Sequence, residues 1–184
     1  MPAKTGKDLW FEMSVREAWT QAHFAGIAYA NIDPKARNGV DAVFSSIHSF
    51  LSHCAMVSKM LKAAPEDTTP SKSVGDVLGI SESSVIHQRT FRNNLEHYDE
   101  RLKAWIKRLG ANITIGTYNI GPKSAFQVPN MVFVSHYDPT TNTFTFINEE
   151  FNLLALYNEV ERIKGIADIW VKNMEKGLIA PPFI

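Results

Sequence analysis

Between Gly39 and Ala64 the apolar residues Val40, Val43, Phe44, Ile47, Leu51, Cys54, Val57 and Leu61 return every three or four positions. That spacing places them on one stripe of an α-helix more than six turns long, with nearly a heptad repeat. A helix of this kind buries its stripe against other helices, which commits the chain to a packed helical core. Its opposite side is small and polar, with Ser45, Ser46, Ser49 and Ser52. Two readings of that side stay open: a solvated face, or a face that packs on another helix or a second subunit.

The same period recurs elsewhere. Leu9, Met13, Ala18, Ala22, Ala25 and Tyr29 predict a first helix over 9–30. It stops before Pro34, which disfavours helix at Asp33. A loop over 65–73, rich in Pro, Thr and Ser, precedes a short helix over 74–78 that Gly79 ends. A third long helix is expected over 85–109. Its core stripe is Phe91, Leu95, Tyr98, Leu102, Trp105, Ile106 and Leu109, and Gly110 stops it. A last helix is expected over 150–176, with Leu153, Leu156, Tyr157, Val160, Ile163, Ile166, Ala167 and Trp170 inward. The tail from Ala180 cannot continue it.

Between the third and last helices the period changes to two. Ile113, Ile115, Tyr118, Val132, Val134, Tyr137, Phe144 and Phe146 lie in β-rich runs. Asp138-Pro-Thr-Thr-Asn142 reads as a hairpin loop between the last two. The expectation is one mainly α domain over 1–184, an antiparallel four-helix bundle. A small antiparallel β-meander of two or three strands is inserted at about 111–148, before the last helix.

Composition excludes several classes. With 45% hydrophobic residues the chain is not disordered, and with 19 basic and 19 acidic residues it has no net field for nucleic acid or an anionic membrane. Any such attraction is local. The polar start and the lack of a long apolar run point to no secretory leader and no membrane span, hence a cytoplasmic protein. Cys54 is alone and surrounded by apolar residues, so it reads as a small buried hydrophobe. His23, His48, His53, His87 and His136 form no zinc-type pattern with cysteine, so neither a metal nor a cofactor is expected.

The third helix carries the one constellation that suggests chemistry. At about 100° per residue, Arg92, Asn93, Glu96, His97 and Glu100 point away from its apolar stripe. Arg92 and His97 flank the polar face, with the two glutamates and Asn93 between them. Arg89, Arg101 and Lys103 give the same helix cations that can meet phosphate. By spacing alone this face is most simply a solvated one.

The string Arg92-Asn-Asn-Leu-Glu-His97, followed by Asp-Glu-Arg101, resembles the R-x(4–6)-H motif of the HEPN superfamily, in which a polar residue often follows the arginine. The stretch from Phe50 to Ser58 is similar to bacterial relatives of this kind. The resemblance implies a helical bundle and a metal-independent endoribonuclease that acts as a homodimer on RNA. Arg92 and His97 would be catalytic and Asn93 would support them. Glu96 and Glu100 would orient the pair, and Arg89, Arg101 and Lys103 would hold phosphate. It also implies an alternative, a non-catalytic dimer that binds RNA, a nucleotide or a protein. A bundle whose motif only stabilises the dimer is a third reading. Some HEPN toxins have a tyrosine two residues after the histidine, where this chain has Asp99.

Overall fold

The computed structural model describes residues 5–35, 39–62, 73–88, 90–147 and 149–178, and within them all side chains but those of Phe91, Arg92 and Leu95. The chain is mainly helical, with a small strand region before the last helix. The loop expected over 65–73 lies outside the described residues apart from Ser73, and so do the tail from Ala180 and Arg89.

Helix α1 spans Gly6–Ala30 and α2 spans Gly39–Lys62. A reciprocal cap starts α1: Thr5 Oγ1 accepts the Asp8 amide at 3.2 Å, and the Asp8 carboxylate accepts the Thr5 amide at 2.8 Å. Its buried face is Phe11, Val15, Ala18, Ala22 and Ala25. Leu9 and Met13, expected inside, are 50% and 65% exposed. The reason is phase. Phe11 and Val15 continue the 4,3,4,3 stepping of the alanines, whereas Met13 to Ala18 needs a step of five. On α2 the expected stripe is buried from Val43 to Leu61, and Val40 at the helix start is exposed.

The alanines of α1 let it lie between α2 on one side and α6, Leu153–Glu175, on the other. Tyr29 stacks on Tyr157 of α6, ring centroids 4.2 Å apart, and tilts against Phe50 of α2. Near the other end of α1, Arg16 bonds Glu175 at 3.0 Å, so α1 and α6 run antiparallel. The inward residues of α6, Leu153, Leu156, Val160, Ile163 and Ala167, are those its spacing predicts. The short helix α3, Val74–Leu78, is also as expected. Ser73 and Asp76 cap its start, and Gly79, at φ 68°, closes it.

The third long helix is where the structure departs from expectation. Val85–His87 is a single 3₁₀ turn, α4 covers only Thr90–Glu96, and α5 covers Tyr98–Arg108. The break falls at His97, whose backbone sits at φ −117°, ψ 35°. No proline or glycine causes it. Asn93 and Asn94 are weak helix formers, and Asn94 is turned into the protein, 4% exposed. Along α5 Trp105 is buried, and Leu102 and, just past the helix end, Leu109 pack against the core as expected, whereas Tyr98 and Ile106, also on the expected stripe, are 39% and 48% exposed.

The strand region holds two sheets. One is a parallel pair, β1 (Thr114–Gly116) with β3 (Met131–Phe133). The other has the order β2-β4-β5-β6, with β2 Asn119–Ile120, β4 Ser135–Asp138, β5 Thr143–Phe146 and β6 Glu149–Asn152. Strands β4 and β5 form an antiparallel hairpin in the expected region, joined by the expected loop, and β6 pairs antiparallel with β5. Three findings correct the expectation of one antiparallel meander of two or three strands: six strands among the described residues form two sheets, the β1–β3 and β2–β4 pairs are parallel, and Glu149–Asn152 is a strand where the last helix was expected to begin. The helix waits for its cap: Asn152 Oδ1 accepts the Ala155 amide at 2.8 Å.

One face of the larger sheet meets the helices. Phe144 packs on Phe44 and His48 of α2, and Phe146 on His48 and on Tyr98 of α5. Among the described residues no helix is long and apolar enough to cross a membrane.

Candidate functional site at the helix break

The break puts His97 at an outward corner instead of midway along a continuous helix. Its backbone keeps the ladder on both sides: the His97 amide donates to the Asn93 carbonyl at 3.1 Å, and its carbonyl accepts the Arg101 amide at 2.9 Å. The ring is therefore fixed at its base yet open at its tip, with the side chain 58% exposed. His97 Nδ1 lies 3.8 Å from Glu100 Oε2, one turn on. That separation is an ion-pair contact for a protonated ring, longer than a hydrogen bond.

The other residues of the motif fall around this corner. Asn93 and Glu96 are exposed on α4, and Glu100, Arg101 and Lys103 are exposed on α5. Arg92 lies in α4 directly before Asn93, and its side chain is outside the described atoms, as is the whole of Arg89. So His97 and Glu100 meet, and Asn93 is tied to His97 through its carbonyl. The local charge around His97 is acidic, from Glu96, Asp99 and Glu100. Asp99 and Glu100 also occupy the first turn of α5, where carboxylates complement the helix dipole.

What can such a corner do? An exposed imidazole can exchange protons with a bound molecule near neutral pH. A carboxylate one turn away can hold the ring in place. As an open surface, however, the corner does not exclude water, so chemistry there needs a second surface laid over it.

Periodicity does not reveal Asn94, the motif's second asparagine. It is buried, and its Nδ2 has no hydrogen-bond partner. The other histidines are spread through the fold. His53 Nδ1 donates to Gln21 Oε1 at 2.7 Å, His87 Nδ1 pairs with Ser58 Oγ at 3.1 Å, and His136 is wholly buried on β4. Burial makes His48 and His53 less basic than usual. Among the described residues no three His, Cys, Asp or Glu side chains are grouped to hold a metal ion. The serine face of α2 lines part of a shallow groove of about 320 Å³ against Phe24 and Ile27 of α1.

No protein-family model matches the chain, and no curated protein or solved structure matches it either.

Proposed function

We propose that this chain is a metal-independent endoribonuclease of the HEPN type that works as a homodimer in the cytoplasm. In this reading α4 and α5 together are the fourth helix of an antiparallel bundle with α1, α2 and α6. The observation that carries it is the placement of His97: a solvent-open imidazole at a fixed helix corner, 3.8 Å from the Glu100 carboxylate and one residue beyond α4, the helix that bears Arg92 and Asn93.

The chemistry needs little more. The RNA 2′-hydroxyl attacks the neighbouring phosphorus, the bond to the 5′-oxygen breaks, and a cyclic phosphate and a 5′-hydroxyl result. One histidine takes the proton from the 2′-oxygen and a second delivers one to the leaving oxygen. A two-fold dimer supplies both from the same position in two copies, and also closes the open corner. Arg92 meets the phosphate oxygens with its forked donors, Asn93 supports them, and Arg101 and Lys103 extend the contact along the strand. Glu96 and Glu100 hold the cationic groups in place.

A second reading is binding of RNA, a nucleotide or a protein without cleavage, and within it the three exposed carboxylates Glu96, Asp99 and Glu100 favour a protein partner. They place negative charge where phosphate must approach. The test is incubation with labelled total RNA in EDTA, beside His97→Ala, with mass measured by light scattering. The ribonuclease reading expects a dimer whose cleavage products carry cyclic-phosphate ends and whose His97→Ala variant is folded and inactive. A folded dimer that cuts no RNA transfers the argument to binding, and a monomer removes the composite site.

A further inference from the structure

The face of the larger sheet turned away from the helices carries a polar row that strand register alone creates. Asn119 of β2 lies opposite His136 of β4, His136 opposite Thr145 of β5, and Thr145 opposite Glu150 of β6. Directly opposed residues share a face, so these four side chains run across the sheet in one line. The middle of the line is buried: His136 is 0% and Thr145 is 4% exposed.

Over His136 lies part of the segment 121–130, between β2 and β3, while Asn119 Nδ2 sits near Gly116, Met131 and Phe133. The segment turns at Gly121, whose φ of 135° suits glycine. It then makes a 3₁₀ turn at Lys123–Ala125 and lays the Phe126 ring edge-on over His136, with centroids 5.4 Å apart. Phe133 closes the other side, its centroid 4.3 Å from the imidazole. At the rim, Lys123 Nζ bonds Glu150 Oε1 at 2.6 Å.

The polar atoms of the row lack partners. Neither ring nitrogen of His136 makes a hydrogen bond, and the same holds for Thr145 Oγ1 and Asn119 Nδ2. A neutral imidazole tolerates two aromatic neighbours, whereas a charged one, with the Gly121 carbonyl near it but no hydrogen bond formed, is poorly compensated. The charged groups acting on it are Lys123 on the cover, Glu150 on β6 and Asp138 on its own strand. Glu150 is already engaged by Lys123, and Asp138 by the hydroxyl and amide of Thr140.

We propose that the 121–130 segment is a flap released by acid, with the buried His136 imidazole as its trigger and the sheet surface around His136 as what it uncovers. Burial, with the Lys123 charge behind it, holds His136 below the ordinary histidine range, against the pull of Asp138, Glu150 and the Gly121 carbonyl. A group less basic in the closed state than in the open one stabilises closure above the open-state value, about 6.5. That stabilisation is lost as the pH falls from there through the closed-state value.

The experiment is amide hydrogen exchange of the full chain between about pH 8 and about pH 5, corrected for the intrinsic rate. Wild type is compared with His136→Phe, which keeps the aromatic packing and removes the proton site. The flap amides of wild type should lose protection progressively as the pH falls below about 6.5, while those of His136→Phe stay constant. Unchanged protection in wild type, or the same loss in His136→Phe, overturns the proposal. If the variant does not fold, wild-type NMR decides. The His136 and Phe126 ring signals must titrate together, and a flap that opens while His136 is still neutral ends the idea.

Discussion

The Tyr137 hydroxyl donates to Asn142 Oδ1 at 3.0 Å, across the turn that joins β4 to β5. The Tyr29 hydroxyl of α1 reaches the same oxygen at 3.5 Å, and the Asn142 carbonyl accepts the first amide of α6, Leu153, at 2.8 Å. One turn residue thus joins α1, the sheet and α6. Its φ is 53°, a region that asparagine and glycine tolerate. Asn142→Ala should cost about 1–3 kcal/mol from the lost acceptor, plus about 1–2 kcal/mol of backbone strain. Asn142→Gly should recover the second part only. Urea titration of the two variants separates side chain from backbone, and equal losses would refute this division.

Gly26 of α1 faces Glu161 of α6. A Cβ built on Gly26 would stand 2.9 Å from Glu161 Oε1, the far end of a flexible side chain that Lys164 also holds. Glu161 can swing aside, while alanine removes the conformational freedom that glycine brings to a helix interior. Gly26→Ala should therefore stabilise the protein by about 0.5–1 kcal/mol. A loss in thermal stability would mean the contact with Glu161 is tighter than this.

Cys54 is 4% exposed among the α2 core residues, and burial raises its thiol well above the ordinary range. Only the thiolate reacts readily. A chromogenic disulfide reagent at about pH 8 should leave the native protein unmodified, and label one thiol per chain once urea unfolds it. Fast native labelling would place Cys54 at the surface.

Glu159 of α6 accepts two hydrogen bonds from Arg162, both 2.8 Å, and one from Ser84, the residue that caps the 3₁₀ turn. Arg162 first, against burial, and then Ser84 hold its carboxyl below the usual range. The unfolded chain then binds a proton at Glu159 more readily than the native one. The resulting stability is present above about pH 4.3 and lost as the pH falls through the native value. Glu159→Gln should lower stability near neutral pH and flatten its acid dependence, as read from thermal melts at several pH values. Parallel curves for the two proteins would show that the carboxylate is not linked to folding.

Much of the helical frame was legible because it rests on local rules. The α2 and α6 stripes, the Gly79 stop and the Asp138 to Asn142 turn each follow from spacing or backbone preference within a few residues. The helix break was not legible. No proline or glycine marks it, and it comes with Asn94 drawn inward, which the periodicity of Phe91, Leu95 and Leu102 does not reveal. The candidate site was legible in residue type and in the one-turn spacing that brings His97 to Glu100. Its exposure at a corner was not, since a continuous helix would have presented a flat face.

The sequence by itself determined the cores of α1, α2, α3 and α6 and the period-two region between the later helices, because those patterns express how a single element divides its faces between core and water. Tertiary structure alone decided the parallel partners of β1 and β2 and the line from Asn119 through His136 and Thr145 to Glu150. Each of these needs two or more elements in fixed register. Which face is buried, and which histidine loses its water, is set by what the fold lays against it.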